Sequence, residues 1–146
     1  MPVKSPLYVN DFFAWSREQA ELLRTGRLDD ADIERIADEI ESLGRAEKGE
    51  LVGALRLLLV HLLGWRCQPG KRSPSRQARV GVLRKRVADR LEANPSLKSI
   101  LQEALIFAYR DVPHEAVAET GLAASTFPKA CPWTAEQVLD SRLWPE

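Results

Sequence analysis

Cysteine is scarce in this chain of 146 residues, which contains only Cys67 and Cys131. Two cysteines so far apart do not form the closely spaced framework that holds small secreted domains together. The first ten residues also lack an apolar segment followed by a small-residue cleavage site. We therefore expect reduced thiols and a cytoplasmic protein.

Long hydrophobic runs are also missing. The longest, residues 57–63, contains His61 and is far shorter than the ~18 residues of a membrane-spanning helix. We therefore expect no association with a membrane.

The chain has no excess charge of either sign, with 21 basic and 21 acidic residues. Zero net charge weakens the repulsion between copies and predicts some tendency to self-associate. The charges are nevertheless segregated along the sequence. Residues 1–50 hold seven basic and twelve acidic side chains, residues 51–100 hold eleven and two, and residues 101–146 hold three and seven. The middle of the chain is therefore strongly basic.

Apolar residues recur at three- and four-residue spacing along most of the chain, and no segment alternates as a strand does. The pattern predicts an all-α fold, with a single helical domain over 1–146. We expect five main helices over residues 11–25, 30–43, 46–66, 74–94 and 96–120. A capping box at Thr134 and Gln137 predicts a short C-terminal helix. Around it, Phe127 and Trp133 are expected to pack on the bundle and Trp144 to be exposed.

Glycine and proline set several of the expected helix ends. Gly44 is predicted to end the second helix, and Ser96 to cap the fifth. Pro113 interrupts the apolar pattern of the fifth helix. We expect a kink there rather than an end, because the spacing resumes before Gly121.

Two sets of charged residues lie on helix faces. The acidic set borders the apolar stripe of the second helix and consists of Asp30, Glu34, Asp38 and Glu41. The basic set lies on the fourth helix and the loop before it and consists of Lys71, Arg72, Arg79, Arg86 and Arg90, which together with Ser73 form a candidate anion-binding site. Ser73 is predicted to cap the N-terminus of the fourth helix, where free N–H groups also favour a phosphate. Either the two sets neutralise each other, or the basic segment 66–90 binds a polyanion such as nucleic acid.

His61 is the best single candidate for acid–base chemistry, because the ordinary pKa of histidine is near ~6.5. A buried, neutral histidine bonded to a neighbouring group is the alternative. His114 follows Asp111 by three residues, but Pro113 separates them. The histidines and cysteines lack the short spacings of a zinc site, and the chain has no glycine-rich nucleotide loop. We therefore predict no metal and no cofactor.

Several segments in order resemble one known family. They are DFFAW (11–15), QAELLR (19–24), EIESLG (39–44), HLLGW (61–65), QP (68–69), RS (72–73), ETGL (119–122), FP (127–128) and CP (131–132). Together they span nearly the whole chain and resemble a bacterial family catalogued as domain of unknown function 29. The resemblance implies an all-helical fold and carries no established activity. Members often have an aromatic residue in place of Cys67 and a tryptophan in place of Arg76, which argues against a shared role for Cys67.

Four polar positions that match this family suggest an enzyme-type pocket: Glu39, Glu41, His61 and Arg72. In it the carboxylates would orient the histidine, and the arginine would bind an anionic group. A buried polar network that fixes helix register is the alternative. The function we expect is a non-enzymatic helical module that binds a protein partner or a second copy. Polyanion binding by segment 66–90 and an enzyme centred on His61 are the alternatives.

Overall fold

The computed structural model describes residues 5–146, and it confirms the all-α prediction. The chain is 77% helical, and no strand occurs in the described range. Five of the α-helices have seven residues or more. The α-helices are α1 (Leu7–Asn10), α2 (Phe12–Arg24), α3 (Ile33–Cys67), α4 (Pro74–Ala93), α5 (Leu101–Tyr109), α6 (Val112–Thr120) and α7 (Ala135–Leu139). Short 3-10 turns cover Leu28–Asp30, Pro69–Lys71, Pro95–Ile100 and Ala124–Thr126.

The predicted end of a helix at Gly44 is wrong, because α3 continues through it for 35 residues. Gly44 keeps a negative φ, whereas Gly26 and Gly121 adopt the left-handed conformation that ends a helix. A glycine inside a helix costs only about 1 kcal/mol relative to alanine. The good helix formers on both sides, such as Glu41 and Ala46, are sufficient to carry the helix across it.

The predicted kinked helix over 96–120 is also wrong. The chain forms two helices, with α5 ending at Tyr109 and α6 beginning at Val112. Pro113 lies in the first turn of α6, where its missing N–H breaks no bond that the helix would otherwise make. Ser96 does not cap the segment either, because Pro95–Ile100 is a 3-10 turn without a side-chain cap. Gly121, with φ +74°, ends α6 as predicted.

The chain forms two compact units, Met1–Ala46 and Glu47–Glu146, whose boundary lies within α3. The first contains α1, α2 and the beginning of α3. The second holds the main apolar core, to which α3 contributes the largest group of fully buried side chains: Leu51, Leu55, Leu58, Leu59, Leu62 and Leu63. The expectation of one domain over 1–146 stays a prediction.

The C-terminal segment packs on the core of the second unit. Phe127 is buried and Trp133 is partly buried against the core, as predicted. The capping box of α7 is present, with Thr134 and Gln137 bonded to each other's backbone N–H groups. The expected exposure of Trp144 is wrong, because its ring lies 4.7 Å from that of Trp65 and is half-buried.

Two arginines hold the end of the chain by its backbone. The Arg84 Nε donates to the carbonyl of Val138 at 2.9 Å, and its Nη2 donates to the carbonyl of Leu143 at 2.8 Å. The Arg72 Nη2 donates to the carbonyl of Pro145 at 3.1 Å. These bonds explain why the segment after α7 lies against the core.

Candidate functional site

A small pocket of about 160 Å³ opens beside His61 in the second unit. Its walls come from α3, α4 and α6: Val60, His61, Gly64, Ser75, Arg76, Arg79, Glu119 and Thr120. The buried leucines of α3 fix which face of that helix points to the core, and His61 lies at the edge of this face. Gly64 adds no side chain to this wall, and a Cβ there would lie in ordinary van der Waals contact, at 4.0 Å, with the Arg76 Nη1 and the Thr120 Cγ2.

The pKa of His61 is below its ordinary value. Burial of the ring is the main cause, because it disfavours the charged form. Arg79 and Arg76 lower the pKa further by repulsion, whereas Glu119 raises it. The ring is therefore neutral at neutral pH, with one N–H donor and one acceptor nitrogen.

The two pocket arginines differ in their partners. Arg76 donates from both terminal nitrogens to the Gln68 Oε1, at 3.3 and 3.4 Å, and the Gln68 Nε2 donates to the carbonyl of Thr120 at 3.3 Å. Arg79 is exposed, and across residues 5–146 neither it nor Glu119 forms a hydrogen bond or an ion pair. The pocket therefore holds two guanidinium groups and one carboxylate, and neither arginine forms an ion pair with that carboxylate.

The four residues of the predicted enzyme-type pocket lie in two separate units. Glu39 accepts a 2.5 Å hydrogen bond from the hydroxyl of Tyr8, and Glu41 lies 3.8 Å from Arg45, all in the first unit. Arg72 donates to the carbonyls of Trp65 and Pro145 and does not line the pocket. Of the predicted set, the pocket contains His61 alone.

The members of the basic set have different surroundings. Ser73 caps α4, as predicted, by accepting a hydrogen bond from the backbone N–H of Arg76 at 3.1 Å. Arg90 forms ion pairs with Glu47 at 3.0 Å and Glu50 at 3.8 Å. Lys71, Arg79 and Arg86 are exposed.

Two members of the acidic set form local ion pairs within the first unit. Asp30 lies 2.9 Å from Arg27, and Glu41 lies 3.8 Å from Arg45. The four side chains of these two pairs, Arg27, Asp30, Glu41 and Arg45, are largely exposed, so each pair contributes well under about 1 kcal/mol to stability. These carboxylates and arginines remain available to other charges.

An apolar stripe on the first part of α3 is exposed, which the sequence pattern does not reveal. Ile33, Ile40 and Leu43 keep 43%, 63% and 70% of their surface accessible, and Ile36 is half-buried. We call these four residues the apolar stripe. Periodicity predicted its position on the helix but not whether another element covers it.

An aromatic cluster in the first unit was not predicted. The ring of Tyr8 lies 4.8 Å from that of Trp15 and 5.7 Å from that of Phe12, and the Arg35 guanidinium lies 4.2 Å from its centre. The hydrogen bond to Glu39 is the main cause that raises the pKa of Tyr8. The cluster fixes α1 on α2 and α3 within this unit.

Other candidates from the sequence are not brought together. Cys67 and Cys131 are free and half-buried, and burial raises the pKa of Cys131. In the described part of the chain, no group of three His, Cys, Asp or Glu residues is placed to hold a metal ion. His114 is exposed on α6. No helix between residues 5 and 146 is both long and apolar enough to cross a bilayer.

The helices, the absence of strands in residues 5–146 and the buried leucine-rich core define an all-α protein. The chain belongs to the family described as Domain of unknown function DUF29, whose model matches residues 7–144. No curated protein and no solved structure matches the chain.

Proposed function

We propose that this protein is a helical interaction module that pairs with a second copy of itself through the apolar stripe. The exposure of Ile33, Ile40 and Leu43 is the observation that carries the proposal. Burial of apolar surface is the dominant favourable term in most protein association, and a contiguous exposed stripe on a helix is where it acts.

The spacing of the stripe favours another helix as the partner. Ile33, Ile36, Ile40 and Leu43 are separated by three, four and three residues, which is the a/d repeat of a helix that packs against a helix of its own kind. Ala37 and Gly44 lie beside the stripe, and such small side chains allow two helix backbones to approach closely.

The charges beside the stripe favour an antiparallel pair. The flank is acidic from Asp30 to Glu41 and becomes basic at Arg45. A parallel pair would place the carboxylates of one copy opposite the same carboxylates of the other, which is destabilising. An antiparallel pair instead brings Arg45 of one copy toward Glu34 of the second, in a symmetric interface that closes as a dimer.

The alternative functions have weaker support. A polyanion site over 66–90 would lose Arg72, Arg84 and Arg90 to bonds within the second unit. An enzyme centred on His61 would need the predicted carboxylates, which do not line its pocket. The cytoplasmic location stays an expectation from the sequence.

Sedimentation equilibrium over a concentration series tests the proposal. The wild type is expected to form a dimer, and Ile40→Lys to remain a monomer, because the lysine charge would be buried in the apolar seam. Ile106→Lys is the matched control, since Ile40 and Ile106 are 63% and 59% exposed. A wild type that is monomeric at every concentration, or a control that is equally disrupted, would contradict the proposal.

Charge exchange tests the antiparallel arrangement separately. Arg45→Glu is expected to weaken the dimer, and the double variant Glu34→Arg with Arg45→Glu is expected to restore it. If the double variant is no stronger than Arg45→Glu, the two residues do not face each other across the interface.

A further inference from the structure

The pocket beside His61 gathers more positive charge than its own residues neutralise, and this observation is independent of the apolar stripe. Arg76 and Arg79 project from one face of α4, three residues apart, next to the imidazole of His61. Glu119 is the only acidic lining residue, and it forms no ion pair with either arginine in the described structure. A cationic concavity of this kind concentrates anions.

We propose that this pocket binds a phosphate group, held by Arg76, Arg79 and His61. A volume of about 160 Å³ is below the ~300 Å³ at which pockets for drug-sized ligands begin, so the pocket suits a compact group. The apolar wall at Val60 and Gly64 lowers the local dielectric constant and strengthens the attraction between the guanidinium groups and an anion.

The pocket supplies enough donors for a tetrahedral oxyanion. A guanidinium has five N–H groups, of which Arg76 uses two toward Gln68, one on each terminal nitrogen, and Arg79 uses none within residues 5–146. Ser75 adds a hydroxyl at the rim, and a neutral His61 adds one N–H. The hydroxyl of Thr120 is already bonded to the carbonyl of Ala116 at 2.6 Å.

Glu119 gives the pocket a basis for selecting phosphate over sulfate. A carboxylate accepts hydrogen bonds and has none to donate. Hydrogen phosphate carries an O–H that can donate to Glu119, whereas sulfate at neutral pH carries no proton and is repelled by the carboxylate. The same residue that reduces the positive charge of the pocket therefore favours the protonated anion.

Isothermal titration calorimetry with sodium phosphate and sodium sulfate tests the site. Wild type is expected to bind phosphate more tightly than sulfate. Arg79→Gln is expected to weaken phosphate binding by about tenfold or more, the value of one charge-assisted hydrogen bond. Arg86→Gln is the matched control, because Arg86 is an exposed arginine of α4 that does not line the pocket.

Absence of phosphate binding, or equal weakening by Arg79→Gln and Arg86→Gln, would overturn the proposal. Glu119→Gln should remove the preference for phosphate over sulfate, and an unchanged preference would refute the role of Glu119.

Inorganic phosphate and glycerol phosphate are titrated separately. Tighter binding of the ester assigns the ligand as a phosphorylated molecule, tighter binding of phosphate assigns it as the free ion, and both support the site.

The two histidines of the chain provide a second readout. His61 lies in the pocket beside Arg76, Arg79 and Glu119, whereas His114 is exposed and outside it. Proton NMR titration of the ring signals with and without phosphate should show an increase in the pKa of His61 alone, because a bound anion stabilises the imidazolium. Equal changes at both histidines would mean nonspecific binding and would overturn the proposal.

Discussion

Replacing Arg84 by methionine tests whether this residue anchors the C-terminal segment. Arg84 is 6% exposed, and its guanidinium donates to the carbonyls of Val138 and Leu143. It also lies 5.2 Å from the ring of Trp144. Methionine has a similar length and fills the space against the ring, so that Arg84→Met removes mainly the two hydrogen bonds and the charge.

The cost can be estimated from these contacts. A hydrogen bond from a charged group contributes ~1.5–3 kcal/mol, and each buried carbonyl left without a donor carries a comparable penalty. Burial of the guanidinium opposes this gain and also lowers the pKa of Arg84, although Asp140 raises it. We expect Arg84→Met to reduce the free energy of unfolding by about 3 kcal/mol.

Urea unfolding followed by tryptophan fluorescence measures the effect, because Trp65, Trp133 and Trp144 all lie in the second unit. Arg86→Met is the control on the same helix, and we expect it to change stability by less than about 0.5 kcal/mol. Arg84→Lys should fall between the two, because an ammonium group does not reproduce the planar fork that spans both carbonyls. Equal stability of Arg84→Met and Arg86→Met would refute the anchoring role.

Two further predictions concern a buried hydroxyl and the glycines. Burial raises the pKa of Tyr109 to about 12, and its hydroxyl donates to the carbonyl of Pro128 at 2.6 Å. Folding thus favours the neutral form of the hydroxyl. Its contribution to the stability of the fold is complete below about pH 10 and is lost as the pH rises toward 12. In thermal melts, the Tyr109→Phe variant should therefore be less stable than the wild type by about 1–2 kcal/mol at neutral pH, and the two stabilities should converge at high pH. A difference that stays constant with pH would contradict this reasoning. Gly121→Ala should destabilise by about 1 kcal/mol because of its positive φ, whereas Gly44→Ala should stabilise by a similar amount, since no atom lies within 4 Å of either added Cβ. Urea midpoints that move in the same direction for both glycines would contradict that explanation.

Local chemistry made much of the fold predictable. Capping by Ser73, the capping box at Thr134 and the end of α6 at Gly121 each depend on residues within four positions, and each is present. The number of main helices agrees for compensating reasons, because two predicted helices join at Gly44 and one divides before Pro113. Whether a helix continues through a glycine, and whether a proline lies within a helix or in its first turn, depend on the energy of the whole segment. A single residue does not reveal that energy.

The candidate site was less predictable because its contacts are distant in sequence. The acid–base chemistry of histidine indicated His61, but nothing in the sequence indicated the approach of Glu119 from α6. The spacing of Arg76 and Arg79 could have indicated a shared face, yet nothing local separates them from Arg84, which is buried. In the same way, the pattern that predicted the apolar stripe is identical for a covered and an uncovered helix.

Anchoring through backbone carbonyls also determines which mutations the C-terminal segment can tolerate. Every residue has a carbonyl, so the bond from Arg84 to position 143 survives almost any side chain there. Trp144 lies between the two anchored carbonyls and contacts Trp65 through its ring, so position 144 does not tolerate other side chains in the same way. A mutational scan should therefore find Leu143 permissive, and Arg84 and Trp144 restrictive, although all three belong to the same contact.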